Sequence, residues 1–278
     1  MHLKQRYPHL KVVLSIGGGE SAETFPIVAS NAVLRDKFGR SARGLVEASG
    51  LDGIDSKSWV LDYPLIYSTS RMLTYSVVWE YPCTPEQGND FLALVAAIRI
   101  HLPEDRYLLT AALPAAKQIL QNIDLRQAAD YLDTINLTAY DFFGQWTHKS
   151  GHHAQLYSMN KDEPSGDSGV RHLLASGVSG RKILLGIPLF GRSFLHVAGP
   201  GHKNRGVGGA DGTFEYNQLP RKGTREQVDR RAIAAQCVGG DGGFVTYDNP
   251  ETVQVKATFC KQKGLGVCPV EVFHSFYC

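Results

Sequence analysis

The 278-residue chain is 43% hydrophobic and 20% charged, which is enough apolar material for one large core and fits a single α/β domain of barrel size. Lysine plus arginine (29) and aspartate plus glutamate (27) nearly cancel to a net charge of +2, and the basic residues are scattered. That balance argues against nucleic acid as a partner and against an electrostatic membrane anchor.

Five cysteines, Cys83, Cys237, Cys260, Cys268 and Cys278, are odd in number and widely spaced, with no C-x-x-C pair. Zinc and a dense disulfide framework are thereby disfavoured, while one bridge, Cys237 to Cys260, stays open. The opening "MHLKQRYPHLKVVLSIGGG" has basic residues but no uninterrupted apolar core before a small-residue cleavage site, and no later run reaches membrane-spanning length. The chain as written is therefore expected in the cytosol, as a monomer.

In chain order, "KVVLSIGG" (11–18) predicts a buried strand stopped by glycines, and 31–50 a helix whose apolar residues recur at three and four. "LDGID" (51–55) starts a strand. A helix is expected over 89–102, a strand over 107–115, a short helix over 123–132 and a strand over 135–144. A helix over 169–177 and a strand over 182–194 follow. Glycine, proline and charge then dominate 199–214, and "GGFVTYDN" (242–249) reads as a strand of a small β-rich subdomain inserted over 195–249. The last helix, 250–266, has proline near its start and lysines and glycine near its end, as capping and the helix dipole require. Strand and helix alternate at least four times, the pattern of βα units around a parallel sheet.

Residues two apart on a strand share one face, so a D-x-D-x-E run aims three carboxyl groups into one site. Crowded carboxylates push each other's pKa values apart, and one can then stay protonated as an acid. Removal of 56–78 would join "LDGID" to "WEYP" in nearly such a strand.

"SIGGG", "LDGID" with "WEYP", "INLTAYDFFG" and "GIPLFGRSF" together resemble the chitinases of glycoside hydrolase family 18, in their fungal branch, over about residues 3–55 and 79–266. The resemblance implies a (β/α)8 TIM barrel with its site at the C-terminal strand ends, and hydrolysis of β-1,4-linked N-acetylglucosamine polymers in which the substrate's own N-acetyl group assists. It implies no metal and no organic cofactor, chitin or chito-oligosaccharides as partner, and an extracellular setting for the family. Glu80 matches the proton donor, Asp55 the inner and Asp52 the first aspartate of D-G-x-D-x-D-x-E, and Tyr140 and Asp141 the pair that positions the N-acetyl group. Ser15, Gly17 and Gly18 match the S-x-G-G strand end that shapes the site. Trp79, Tyr81, Phe142 and Arg192 stand where substrate contacts are expected.

The departures are specific. Val78 occupies the position of the middle aspartate, and Thr138 and Ala139 stand where the family has methionine and threonine. "LDYP" (61–64) mimics the strand end without a glutamate. Two strands upstream and the last strand downstream are not recognisable, so the barrel is expected to be incomplete. Segment 56–78 is expected to be foreign, read as translated intron, with a looped-out insertion as the alternative, and 267–278 is expected to be an aberrant tail. The chain is accordingly expected to be an impaired enzyme, its rivals being an inactive chitin-binding lectin and a truncated product without function.

Blander readings stand beside these. Glu80 could be an ordinary charged residue, Asp55 a turn or cap residue, and Tyr140 and Asp141 a plain strand end. The "SIGGG" glycines lack the lysine and hydroxyl of a phosphate loop. His152 and His153, in a loop-like stretch, are expected at the surface or the site edge rather than on a metal. Trp146, Phe142 and Phe143 are equally explained by sugar stacking and by packing. The sequon at Asn136 falls in an expected buried strand, where it would go unused.

Overall fold

The computed structural model describes residues 2–17, 24–57, 82–240, 242–266 and 270–271. The chain divides into two compact units, the first formed by 1–113, 118–136 and 176–178 and the second by 114–117, 137–175 and 179–278. No helix among the described residues is long and apolar enough to cross a membrane.

The first unit opens with α1 (His2–Arg6), β1 (Val13–Gly17), α2 (Thr24–Ser30) and α3 (Ala32–Ser49). Asn31 caps α3 by accepting from the N–H groups of Val33 and Leu34, and Gly50 ends it at φ 63°, a left-handed position that glycine occupies without a Cβ penalty. β2 (Gly53–Lys57), α4 (Pro85–His101), β3 (Leu108–Pro114), α5 (Lys117–Leu120), α6 (Leu125–Tyr131) and β4 (Thr134–Thr138) follow. Helix α4 starts four residues before its apolar pattern does. Thr84 accepts from the Gln87 N–H at 3.3 Å and Pro85 takes the first turn, where its missing N–H costs nothing.

β1, β2 and β3 are parallel neighbours in a register that sets Ser15, Asp55 and Thr110 side by side, and β4 lies next to β3. β2 runs on through Ser56 and Lys57, the first two residues of the segment expected to be foreign. α3 packs against α4 and against β2, and Val46, Ile54, Leu94, Val95, Ile98 and Leu109 are all essentially inaccessible. Arg99 ties the layer together: its guanidinium donates to the carbonyls of Tyr131, Leu102 and Tyr107 and reaches Asp133 Oδ2 at 2.7 Å.

In the second unit, β4 ends at Thr138, well short of the strand expected over 135–144. Three residues further on, Asp141 at φ 59° leaves extended geometry, so no strand can run on to 144. After α7 (Gly166–Ala175), the single strand expected over 182–194 is three pieces, β5 (Ile183–Leu185), β6 (Ile187–Pro188) and β7 (Phe190–Phe194). The breaks have local causes. Gly186 gives its N–H to Leu137 and is hemmed in by the Leu137 carbonyl and the Tyr140 ring, Pro188 has no N–H to give, and the Leu189 carbonyl turns to Tyr216.

β7 joins β8 (Thr213–Glu215), β9 (Gln227–Asp229), β10 (Ala234–Val238) and β11 (Phe244–Tyr247) in an antiparallel sheet of order β8-β7-β11-β10-β9. Its core is Phe214, Ala235, Cys237, Val245 and Tyr247, with Phe194 stacked on Phe244. Cys237 is a free thiol, so the bridge to Cys260 is not formed.

Helix α8 (Pro250–Lys263) begins with a capping box between Asn249 and Thr252 and ends at Gly264 with φ 63°. Lys256 on this helix, buried, donates to Asp248 Oδ2 at 2.5 Å and to the Ala154 carbonyl at 2.6 Å. β12 (Val270–Glu271) pairs in parallel with β6, within the segment expected to be an aberrant tail.

The tightest backbone approach in the parallel ladder is at Gly53, where an added Cβ would fall 1.9 Å from the Leu108 carbonyl oxygen. Neither strand can yield without losing its pairing. Gly53→Ala is therefore expected to destabilise the protein by about 3 kcal/mol, the upper part of the overpacking range. Urea unfolding checks it, and a loss below about 0.5 kcal/mol would refute the register.

Candidate active site

The first unit buries one carboxylate among polar neighbours. Asp55, 8% exposed on β2, accepts from Thr110 Oγ1, from Asn136 Nδ2 at 3.0 Å and from Ser15 Oγ at 3.3 Å. The four side chains come from four strands, β1 to β4, and the register puts the first three on one face. A carboxylate so held keeps a fixed orientation and has one oxygen, Oδ1, shared by two donors.

Asp52 sits at the opposite end of β2. Its Oδ2 takes the Val12 N–H and the Lys4 ammonium, both at 2.8 Å, and Oδ1 lies 3.5 Å from Lys11. Burial pushes this carboxyl up, but Lys4, the Val12 N–H and Lys11 together outweigh it and hold the pKa below the usual range. Asp52 thus fastens the start of β2 to the residues before β1.

In the second unit the chain leaves β4 through Tyr140, which is buried and edge-on to Phe190, and Asp141. Arg192 of β7 grips Asp141 with both arms, Nε to Oδ1 at 2.7 Å and Nη2 to Oδ2 at 2.9 Å. Its guanidinium also packs on the rings of Trp146, 4.8 Å away, and Phe190, 5.2 Å away. Burial alone would raise the Asp141 pKa, but the Arg192 charge and contacts from His153 and Arg192 more than offset it and bring it to about 2. Phe142, half-buried, gives its N–H to the His153 carbonyl, and Trp146 lies across Gly144, where any Cβ would strike the indole. Phe143 covers Gly151 in the same way, so Trp146 and Phe143 are packed into the loop.

His152 and His153, expected at the surface or the site edge, are instead fully buried. His152 Nδ1 meets Thr246 Oγ1 at 3.0 Å and Nε2 lies 3.4 Å from Asp229. His153 Nδ1 is 3.5 Å from Asp141 Oδ1, and its ring is tilted against Phe190. Neither nitrogen of His153 makes a hydrogen bond. Burial pushes both imidazoles below their ordinary pKa, against the pull of Asp229 and Asp141 respectively. Sequence reading misplaced the pair because its glycine-flanked, polar setting resembles an exposed loop.

Gly17 ends β1, and the remaining expected residues, Gly18, Val78, Trp79, Glu80 and Tyr81, lie outside the described residues. Thr110 and Asn136 were not singled out as partners of a carboxylate. The available signal was a lone polar residue inside each apolar strand, "LLTAALP" and "TINLT". No group of three or more histidine, cysteine or acidic side chains suited to a metal occurs among the described residues.

The glycosyl hydrolases family 18 model matches residues 1–268. This chain belongs to that family. Chitinase 1 of Aphanocladium album is 31% identical over 95% of the chain, and Endochitinase 1 of Metarhizium robertsii 32% over the same share. The chain spans 61% of the length of each of these curated relatives. Among solved structures, the family GH18 chitinase of Cycas revoluta in complex with allosamidin is 28% identical, with a TM-score of 0.81 over 96% of this chain and 77% of that one. A mutant of the Cycas enzyme in complex with (GlcNAc)4 gives 0.82 at the same identity and coverage. The strands and helices described above are those of a TIM-barrel-type glycosidase fold.

Since burial favours the neutral imidazoles, the stability this confers is complete above the unfolded histidine pKa of about 6.5 and declines as pH falls below it. The Asp141 contribution has the opposite origin, being present above about pH 4 and lost toward about pH 2. Urea midpoints at about pH 7.5 and about pH 5.5 should therefore fall on acidification, and fall less in His153→Phe. An equal fall in both proteins would contradict the burial of a neutral His153.

Proposed function

We propose that the chain is a chitinase-type glycoside hydrolase, acting on β-1,4-linked N-acetylglucosamine polymers by the substrate-assisted retaining route, with activity weakened by Val78. The observation that carries the reading is Asp55: a buried carboxylate in the family's strand signature, with Ser15, Thr110 and Asn136 as donors. That the solved relatives include complexes with allosamidin and (GlcNAc)4 supports the ligand class.

In this reading Glu80 gives its proton to the glycosidic oxygen as the C1–O bond breaks. The carbonyl oxygen of the sugar's own N-acetyl group attacks C1 from the other side, forming a cyclic oxazolinium. Water then opens the ring and returns a proton to Glu80. Asp55 orients the acetamido N–H, while Tyr140 and Asp141, kept ionised by Arg192, hold the acetamido group against the anomeric carbon. Trp79, Tyr81 and Phe142 supply apolar surface to the sugar rings, Ser15, Gly17 and Gly18 shape the wall, and Asp52 acts through the position of β2. No metal or organic cofactor enters these steps.

Val78 favours a second reading, a chitin-binding lectin, because a valine beside the acid can neither carry charge nor share a proton. Release of a fluorophore from a chito-oligosaccharide by the full chain decides between them. The enzyme reading expects slow turnover, a loss of about 10² or more in Glu80→Gln with binding retained, and a gain of about tenfold or more in Val78→Asp. Binding without turnover in all three proteins would establish the lectin.

A further inference from the structure

His153 braces the turn that carries Asp141 from both its backbone and its side chain. Its carbonyl accepts the N–H of Phe142, the residue after the left-handed Asp141 (φ 59°), at 3.0 Å. Its imidazole faces the Asp141 carboxylate, with Nδ1 3.5 Å from Oδ1. The ring is wholly inaccessible and tilted against Phe190, which also carries the Arg192 guanidinium and the edge of Tyr140. A buried polar ring ordinarily finds a hydrogen-bond partner, yet neither nitrogen of His153 has one among the described residues.

The charged groups that act on this ring come from three elements: Asp141 after β4, Arg192 on β7 and Asp248 after β11. His152 is its titratable chain neighbour. Asp248 is already taken by Lys256 of α8 and by Thr252, and Asp141 by Arg192. Burial and the Arg192 charge favour the neutral ring, the two aspartates favour the cation, and burial weighs most. His153 therefore takes up a proton only below the ordinary histidine pKa of about 6.5.

Geometry sets the consequence of that proton. A cationic N–H bonds a carboxylate at about 2.7 to 2.9 Å, so closing the 3.5 Å gap takes a movement of about 0.6 to 0.8 Å. A working constellation must be held within roughly 0.5 Å. Oδ1 is also the oxygen that Arg192 Nε holds at 2.7 Å, so the movement loosens one arm of the grip.

We infer that His153 is a positioning residue that gives the sugar site an acid limit: neutral, it leaves Asp141 to Arg192, and protonated, it draws Oδ1 toward itself and turns the carboxylate away from the acetamido group. The inference rests on the chitinase reading above, in which Asp141 holds that group.

The test is kcat/KM of the full chain on a soluble N-acetylated oligomer from about pH 7.5 to about pH 4.5, with near-ultraviolet circular dichroism marking the range in which the protein stays folded. The wild type should lose activity on the order of tenfold between about pH 6.5 and about pH 5, as one protonation of the free enzyme. His153→Asn, which cannot take the charge, and His153→Phe, which keeps a ring against Phe190, should each change less than about twofold over that interval. Either variant suffices where the other does not fold. An acid limb that persists in the variants, or a wild type that has none, overturns the inference and leaves the chitinase reading standing. A wild type that hydrolyses nothing at any pH removes the chitinase reading, and calorimetric affinity for the same oligomer then decides. Affinity that weakens on acidification in the wild type alone upholds the action of His153 on Asp141, and affinity that is absent or indifferent to pH overturns it.

Discussion

A carboxylate withdrawn from water must either find donors or give up its charge, at a cost of several kcal/mol per ion if it does neither. Each unit of this protein is organised around that constraint. In the first, Asp55 draws one polar side chain from each neighbouring strand, and the register of β1, β2 and β3 is what brings those side chains level. In the second, Asp141 takes the whole fork of Arg192, and Asp248 takes Lys256 with a further bond from Thr252. The apolar core gives these groups their burial, but the donors decide which strand lies where, because a slip of one residue would leave an ion stranded.

Asp55 and Asp141, one in each unit, are held in different ways, with different chemical consequences. Asp141 faces a permanent cation, so its charge is fixed across the whole physiological range. Asp55 faces only neutral donors, two hydroxyls and an amide, which fix the orientation of its two oxygens. A group meant to hold a dipole in place suits the first environment. His153 adds to that hold: its Nδ1 lies 3.5 Å from Asp141 Oδ1 and its contact acts with Arg192 to keep the carboxylate ionised, while burial pushes the imidazole toward its neutral form.

Much of the framework was legible because local signals and tertiary packing agree. Helix α3 has its cap, its period and its terminal glycine, α8 has Asn-Pro at one end and glycine at the other, and β1 to β3 read as apolar runs. Failures occur where a single residue overrides a run. Residues 135–144 look like one strand, yet Asp141 turns the chain through a left-handed conformation, and 182–194 look like another until Gly186 and Pro188 break it. The site was legible as a family pattern, so Asp55, Tyr140 and Asp141 could be singled out by residue type and spacing. Their partners were less visible: Thr110 and Asn136 were not singled out, and Arg192 was singled out as a substrate contact rather than as the partner of Asp141, because adjacency across a sheet leaves only a faint mark on a single sequence. His152 and His153 show the same blindness: nothing in "KSGHHAQLY" records that Thr246, Asp229 and Phe244 close over one ring and Phe190 over the other.

Val78 bears most directly on the proposed chemistry. In a D-x-D-x-E strand the acid stays protonated partly because two carboxylates crowd it, and each added negative charge raises the cost of losing its proton. With valine in the middle position, the proposed reading leaves Asp55 as the one other carboxylate beside the acid, held by three donors. In that reading the remaining means of favouring a protonated acid is exclusion of water by the bound sugar. On the proposed reading, then, the acid is armed chiefly by substrate: exclusion of water by the bound sugar supplies what the missing carboxylate would have supplied in advance. Such a site spends part of its binding interaction on raising a pKa rather than on stabilising the transition state, which is the physical sense in which its catalysis is weakened while its hold on the ligand survives.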